Sequence, residues 1–218
     1  MRAAVSLFAV FLLAACASGM SKKECQYADW RAVGYEDGAA GRDAGAIASR
    51  RAACAKARVA PDMEAYLSGR EDGLGEFCRP ANGFDYGARG NRYAGACAGR
   101  NETAFVASYE KGLALYSYVS RLDAARAALA NAQADLNRIE HEIAANEAAL
   151  ISPATPHLAR VDHLAALKHL SEQRGRVRAA TRDLARDVDA AEDDLNAYQR
   201  ALAALDGKGA TGPTPARY

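Results

Sequence analysis

The chain has 218 residues, and its 28 lysines and arginines nearly balance its 27 aspartates and glutamates. The two halves are each close to neutral, so neither has the basic character that indicates a nucleic-acid partner. The length is enough for one or two domains.

The first fifteen residues have the pattern of an export signal. Arg2 supplies a positive charge, and the apolar run 5–13 is about half as long as the roughly 20 residues that a membrane-spanning helix needs. The run ends in small residues before a cysteine: Leu13, Ala14, Ala15 and Cys16. This ending resembles the lipobox of bacterial lipoproteins, which implies cleavage before Cys16 and lipid on its sulfur and amine. A plain secretory signal with an incidental cysteine is the alternative.

The residue after the expected anchor indicates which of the two membranes holds the protein. Ala17 stands where an Asp would favour retention at the inner membrane, by resemblance to lipoprotein sorting in diderm bacteria. Two or three acyl chains hold a protein firmly, whereas one chain alone holds it only marginally. We therefore expect a periplasm-facing lipoprotein of the cell envelope, bound to the outer membrane through Cys16.

Four further cysteines lie in the N-terminal half of the chain: Cys25, Cys54, Cys78 and Cys97. An even number of cysteines in an oxidising compartment indicates disulfides, here two. The spacing contains no C-x-x-C pair, which argues against a zinc ribbon or a thioredoxin-type site.

The pairing of these cysteines depends on the helices around them. We expect helices at about 30–57, 62–76 and 84–94, separated by turns at 61–62 and 79–83. If 30–57 is one helix, its ends lie about 40 Å apart, which would exclude a bridge between Cys25 and Cys54. The sequence then predicts the pairs Cys25–Cys78 and Cys54–Cys97. A kink at Gly41 or Gly45 would remove the premise.

A short glycine motif repeats in this region. Gly34-Tyr35-Glu36-Asp37-Gly38 recurs as Gly69-Arg70-Glu71-Asp72-Gly73, with weaker relatives ending at Gly87 and Gly112. Glycines four residues apart lie on one helical face, where another backbone can approach closely. Because each interior glycine costs about 1 kcal/mol relative to alanine, the repetition indicates a packing role.

Beyond residue 103 the chain becomes rich in alanine and leucine and carries a heptad pattern. The first apolar seam runs Leu115, Tyr118, Leu122, Ala125, Leu129, Ala132, Leu136, Ile139, Ile143, Asn146 and Leu150. After a break with Pro153 and Pro156, the second runs Leu167, Leu170, Val177, Thr181, Leu184, Val188, Ala191, Leu195, Tyr198, Leu202 and Leu205. Two such helices joined by a short turn predict an antiparallel coiled-coil hairpin, roughly 70 Å long. Bending of the helices into a bundle with the N-terminal region is the alternative.

These patterns predict an all-α protein in which a small disulfide-braced, Gly-rich helical domain precedes a long antiparallel coiled-coil hairpin. The expected divisions are a signal peptide at 1–15, the Gly/Cys-rich domain at 16–103, the hairpin at 104–206 and a disordered tail at 207–218. The tail has too few apolar residues to fold.

The stretch from about Cys25 to Tyr116 resembles the domain of unknown function 2799 found in proteobacterial lipoproteins. The matching residues include the four cysteines, the glycine motifs above, and the following positions: Asp29, Trp30, Gly41, Pro61, Asp62, Tyr66, Leu74, Asn82, Phe84, Gly90, Tyr93, Gly95, Phe105 and Tyr109. The resemblance implies a location and an architecture but no reaction.

Chemical candidates in the sequence are weak. Glu36, Asp37, Glu71 and Asp72 could supply the two carboxylates of a glycoside hydrolase, although adjacent acids on a helix normally face solvent or pair with arginine. Trp30 could present its ring to a glycan, but a lone tryptophan near disulfides is more often buried.

The remaining polar candidates lie in the hairpin. None of the four histidines, His141, His157, His163 and His169, belongs to an i,i+4 pair or an H-E-x-x-H motif, although a fold about residue 154 could bring His141 near His169. A basic cluster follows at Arg174, Arg176, Arg178, Arg182 and Arg186, beside acidic residues that we expect to pair with it. We predict no metal site and no cofactor.

The sequence as a whole favours a non-enzymatic role. We expect a membrane-anchored interaction or scaffold protein whose hairpin binds an envelope protein or peptidoglycan; the alternative is an envelope hydrolase acting on peptidoglycan or another glycan. An apolar patch on the hairpin would favour the first, and carboxylates with raised pKa values in a concave site around residues 36, 37, 71 and 72 would favour the second.

Overall fold

The computed structural model describes residues 20–209, with side chains described to residue 205. Within this range all the regular secondary structure is α-helical, as the sequence predicts, and no described residue belongs to a strand. The helices are α1 (Lys22–Tyr27), α2 (Trp30–Ala39), α3 (Ala46–Lys56), α4 (Met63–Phe77), α5 (Pro80–Ala88), α6 (Glu102–Ile151) and α7 (His157–Gly209). The expected signal peptide, Cys16 and the end of the expected tail lie outside the described residues.

The chain divides into two compact units. Unit 1 extends to Leu113 and unit 2 begins at Ala114, so the division falls inside α6. The sequence places this boundary at 103, which is close to the start of α6. The change in composition therefore coincides with the beginning of the long helix, whose first turns still belong to unit 1. None of the described helices has an apolar stretch long enough to cross a membrane.

Glycines hold α2 and α4 of unit 1 together. Four of them face the partner helix, two on each side: Gly34, Gly38, Gly69 and Gly73. A Cβ atom on Gly34 would lie 2.0 Å from the carbonyl oxygen of Tyr66, and one on Gly69 would lie 1.9 Å from that of Arg31. Because no side chain fits in such a space, the two backbones touch directly, which confirms the packing role that the motif predicts.

The same arrangement recurs between α5 and the start of α6. A Cβ atom on Gly87 would lie 2.2 Å from the carbonyl oxygen of Tyr109, and one on Gly112 would lie 2.0 Å from that of Phe84. The weaker relatives of the motif are therefore the two sides of a second helix crossing. Unit 1 consists of two similar halves, each with one glycine-mediated crossing.

Both halves end their first helix in the same way. Gly41 after α2 and Gly90 after α5 have positive φ angles of 63° and 72°, which favour glycine. In each case the glycine N–H and the next N–H close a Schellman motif on the carbonyls of the last turn. This stop divides the predicted helix 30–57 into α2 and α3.

The disulfides are Cys25–Cys54 and Cys78–Cys97, with Cα atoms 5.4 and 5.6 Å apart. The four cysteines thus form two disulfides, as predicted, but the predicted pairs Cys25–Cys78 and Cys54–Cys97 are wrong. The reason is the chain reversal at Gly41, which turns α3 back towards α1 and removes the long helix on which the prediction depended. In the first half, the bridge joins the segment before α2 to the segment between α2 and α4. In the second half, it joins the segment before α5 to the segment between α5 and α6.

Unit 2 is an antiparallel helical hairpin formed by α7 and the part of α6 from Ala114 onwards. Tyr118 stacks on Tyr198 with ring centroids 4.9 Å apart, and Glu140 accepts a hydrogen bond from Arg178 at 2.6 Å. Every predicted seam residue is buried or partly buried except Leu205. The heptad pattern therefore identifies the inner face of the hairpin, while supercoiling of the two helices stays a prediction.

Candidate functional site

Unit 1 contains one buried carboxylate, Asp37 on α2, among its described residues. Its Oδ1 accepts hydrogen bonds from Arg50 and Arg42 at 2.6 and 2.7 Å, and its Oδ2 accepts from Arg50 and Tyr66 at 3.1 and 3.0 Å. The side chain is fully buried. Four donors and two cationic partners satisfy this carboxylate, so the centre holds α2, α3 and α4 together.

The electrostatics of this centre follow from its partners. Burial acts to raise the pKa of Asp37, but the hydrogen bonds from Arg50 and Tyr66, with the charge of Arg50 and the hydrogen bond from Arg42, outweigh it and lower the pKa below its ordinary value. Burial and the neighbouring Asp37 raise the pKa of Tyr66 to about 12. Asp37 therefore stays ionised at neutral pH and Tyr66 keeps its proton.

The second half of unit 1 has no such centre. Phe105 takes the place of Tyr66, since its carbonyl oxygen meets Gly83 as that of Tyr66 meets Gly34. Tyr86 correspondingly stands where Asp37 stands, three residues after the first glycine of its motif. An aromatic cluster fills the space there, with Phe77 5.2 Å from Tyr86 and 5.0 Å from Phe105 between ring centroids. The same crossing is thus built once around a charge and once around aromatic rings.

The other carboxylates proposed for a hydrolytic site lie at the surface. Glu36 is exposed, Glu71 forms an ion pair with Arg100, and Asp72 pairs with Arg31 at 2.6 Å. Trp30 is buried beside the Cys25–Cys54 bridge and offers no exposed ring to a glycan. Two of the four candidate carboxylates, Glu36 and Asp72, line one open groove beside Tyr35, whereas Asp37 and Glu71 are not among its lining residues.

The polar candidates of the hairpin have similar roles. Among the described residues no cluster of three metal-ligating side chains occurs. The Nδ1 atom of His163 lies 2.9 Å from Oδ1 of Asn146 on the facing helix. Within the basic cluster, Arg178 pairs with Glu140 across the hairpin and Arg186 pairs with Asp183 on its own helix, as the sequence predicts.

The hairpin turn is well connected. Thr155 donates from Oγ1 to the carbonyl oxygen of Ala149 at 2.6 Å, and its N–H donates to that of Ser152 at 3.2 Å. The guanidinium of Arg160 reaches the same Ser152 oxygen at 3.1 Å. These bonds satisfy carbonyls that the end of α6 leaves open, so the turn holds the two helix ends in a defined position.

Apolar side chains surround this turn on the outside. Ile151, Leu158, Val161 and Leu164 expose 82%, 83%, 62% and 55% of their surface. They form what we call the tip patch. At the same level the inner face of α7 is polar, because Arg160 and His163 occupy the seam positions that precede Leu167 and Leu170, while α6 contributes the partly buried Leu150. The polarity of α7 is therefore inverted at the tip, with polar side chains on its inner face and apolar side chains towards solvent.

The tip patch is not among the features predicted from the sequence. The heptad pattern of α7 contains the information needed to find it. Extending the seam from Leu167 towards the N-terminus of α7 places His163 and Arg160 at seam positions. Leu158, Val161 and Leu164 are outside the seam. Large apolar residues outside a seam whose own positions have become polar indicate a surface that another molecule covers.

Comparison with known proteins bears on unit 1 alone. Residues 29–114 match the model of a family described as "Protein of unknown function (DUF2799)". No curated protein and no solved structure matches the chain. The match ends within one residue of the division at Leu113 and contains both glycine-mediated crossings and Asp37. The resemblance seen in the sequence is thereby confirmed, and unit 1 carries a domain of the DUF2799 family.

Proposed function

We propose that this protein is an envelope lipoprotein, anchored to the outer membrane through lipid on Cys16, whose hairpin tip binds another envelope component. The role is one of interaction or scaffolding and needs no catalysis. The exposed tip patch carries the proposal, because leucine, isoleucine and valine side chains that face solvent contribute no burial to a free hairpin.

The free energy that burial of the tip patch would release supports a binding role. Burying a leucine, isoleucine or valine side chain contributes about 1.5–3 kcal/mol, so covering the four residues of the tip patch would provide several kcal/mol of binding free energy. Single exposed apolar residues are common on protein surfaces, but four of them around one turn are not. Because hydrogen bonds at Ser152 and Thr155 already hold the turn, binding of a partner would require little further ordering of the chain.

The hydrolase alternative receives no such support. A general acid in glycoside hydrolysis needs a carboxyl group with a raised pKa, whereas the partners of Asp37 lower its pKa. Glu71 and Asp72 are held in ion pairs and Glu36 is exposed, so none of the three lies in a buried apolar pocket of the kind that suits a general acid. We therefore do not propose a hydrolytic reaction.

Photocrosslinking in intact cells tests the binding role. A photoreactive residue at Leu158 or Val161 should give one strong adduct, with an envelope protein or with peptidoglycan. The photoreactive residue in place of Asp187, which is exposed on α7 away from the tip, serves as the matched control. Equal labelling at the tip and at Asp187 would overturn the proposal, as would adducts only around Glu36 or Glu71.

The anchor is tested separately. Cells fed an alkyne-labelled fatty acid should incorporate the label into the wild-type protein but not into the Cys16→Ser variant. Labelling of the variant, or an unlabelled wild-type protein, would contradict lipidation at Cys16 and leave the result at the tip unaffected.

A further inference from the structure

The helix α3 carries cations that the fold does not use. Residues 44–61 contain four lysines and arginines and no acidic residue. Arg50 is bound to the buried Asp37. The side chains of Arg51 and Arg58 are exposed and have no hydrogen-bond or ion-pair partner among the described residues. Two guanidinium groups on this side of unit 1 are therefore available to an external anion.

Arg58 is held in an unfavourable backbone conformation. Its φ angle is +58°, and no other non-glycine residue among those described has a positive φ. It closes a Schellman motif after α3, because its N–H donates to the carbonyl of Ala55 and the N–H of Val59 donates to that of Cys54. The corresponding positions after α2 and α5 are Gly41 and Gly90. At the third such helix end, an arginine therefore stands where glycine fits without strain.

The two arginines border an open groove of about 580 Å³. Its floor is apolar and consists of small residues, among them Ala52, Ala55, Val59 and Pro61. None of the described residues that line it is acidic. Cationic groups beside an apolar floor are suited to an amphiphile that carries a phosphate next to hydrocarbon, and less suited to a free inorganic ion.

The groove is also close to the expected anchor along the chain. Cys16 precedes Cys25 by nine residues, which span at most about 30 Å when fully extended. The Cys25–Cys54 bridge joins α1 to α3 between Arg51 and Arg58. Lys22 and Lys23 on α1 are exposed next to Cys25 and, with the exposed Glu24 beside them, add one net positive charge. A lipid on Cys16 would therefore keep this basic side of unit 1 near the membrane surface.

We propose that the α3 groove binds the phosphate headgroup of an anionic membrane phospholipid, with Arg51 and Arg58 as its ligands and the apolar floor against the adjoining part of the acyl chains. This inference rests on the proposed membrane anchor and adds to it a specific contact between unit 1 and the bilayer. The contact would orient the lipoprotein on the membrane, which an anchor at a single residue does not do.

Vesicle binding of the unlipidated chain tests the groove without the anchor. The chain 16–218 with Cys16→Ser is mixed with vesicles of phosphatidylglycerol and phosphatidylcholine, or of phosphatidylcholine alone, and bound protein is measured by flotation. Binding should require phosphatidylglycerol. Since each arginine near an anionic surface contributes a factor of about five, Arg51→Gln with Arg58→Gln should lower the partition coefficient about thirtyfold.

Arg89→Gln with Arg92→Gln is the matched control, because it removes the same charge from exposed positions in the other half of unit 1. It should bind as the wild type does. Arg58→Lys should retain binding, whereas Arg58→Gly should weaken it about fivefold while raising the melting temperature. That opposite pair of effects shows that a folding defect does not cause the loss.

Three outcomes would overturn the proposal. The double variant at Arg51 and Arg58 could bind as well as the wild type. The control at Arg89 and Arg92 could lose as much binding, which would indicate diffuse charge attraction. Inorganic phosphate at millimolar concentration could displace the protein from vesicles, which would indicate a site for the free ion. Each result is independent of the fatty-acid labelling at Cys16, so failure of the groove and failure of the anchor are distinguishable.

Discussion

The two units of this protein pack their helices by opposite means. In unit 1 the helices meet where side chains are missing, at Gly34, Gly69 and their counterparts, so that backbone touches backbone. In unit 2 the helices meet through leucine, isoleucine and alanine on a heptad seam, with ion pairs such as Arg178–Glu140 beside it. Unit 1 also has two disulfides and a buried carboxylate. A unit that relies on close backbone contact is sensitive to added atoms and to loss of its covalent bridges, whereas a seam of large side chains depends on neither.

Reduction of the disulfides should produce the largest difference in stability between the two units. Each bridge contributes about 3 kcal/mol by restricting the unfolded chain, so reducing Cys25–Cys54 and Cys78–Cys97 should unfold unit 1. Unit 2 contains no cysteine and should keep its helices. Limited proteolysis under reducing conditions should cut within 20–113 and leave a fragment that contains 114–205. Protection of unit 1, or loss of both units together, would contradict the comparison.

Removing the buried charge should have the next largest effect. Asp37→Asn leaves the partly buried Arg50 without its anionic partner, and we expect a loss of about 4 kcal/mol in the free energy of unfolding. Asp72→Asn breaks an exposed pair with Arg31 and should cost less than about 1 kcal/mol. Urea unfolding of both variants measures the difference, and equal losses would show that Asp37 is not the centre of unit 1.

The same carboxylate predicts an acid-sensitive unit 1. Because the folded state lowers the pKa of Asp37 below its ordinary value of 3.8, its stabilisation is present above that value and is lost as the pH falls through the lower, folded-state pKa. In a pH titration of the free energy of unfolding, wild-type unit 1 should lose stability in this acidic range more steeply than the Asp37→Asn variant. Parallel curves would assign the acid sensitivity to other groups.

A single added methyl group should distinguish two glycines of the same helix. A Cβ atom on Gly73 would lie 2.2 Å from the carbonyl oxygen of Tyr35, so Gly73→Ala must push α2 and α4 apart and should cost about 3 kcal/mol. Gly75 has no atom within 4 Å of that position, and Gly75→Ala should be neutral or slightly stabilising. Thermal unfolding of the pair tests whether the crossing, and not helix propensity, sets the result.

The smallest expected effect is a gain in unit 2. Gly175 lies in α7 with open space around its Cα atom, so Gly175→Ala should stabilise the hairpin by up to about 1 kcal/mol. The substitution is the same as Gly73→Ala in unit 1, but its expected effect on stability has the opposite sign. A destabilised hairpin in this variant would mean that Gly175 has a packing role that the seam does not reveal.

Patterns along single helices could be predicted from the sequence. The seam from Leu115 to Leu150 is the inner face of α6, and the spacing of Gly34, Gly38, Gly69 and Gly73 indicated close contact. The disulfide pairing could not be predicted, because it depends on where the chain reverses. One glycine with a positive φ, Gly41, follows α2, which ends ten residues into the predicted helix 30–57, and the chain reversal there brings Cys54 to Cys25.

The candidate site shows the same division. Sequence motifs directed attention to the acidic residues at 36–37 and 71–72, but these residues are alike in sequence and differ only in what surrounds them. Asp37 is buried with two arginines, whereas Glu36 is exposed one residue away. The tip patch was visible in the register of α7, yet it became a surface feature only once the position of the turn was known.

The sequence by itself determined the all-α class, the family of unit 1 and the inner face of each hairpin helix, because helical periodicity and local motifs are properties of neighbouring residues. Tertiary structure decided which cysteines pair, which carboxylate is buried and which cations stay free. Those outcomes depend on contacts between residues far apart in the chain, such as Asp37 with Tyr66. Such contacts follow from chain reversals that one residue at a helix end can create or remove.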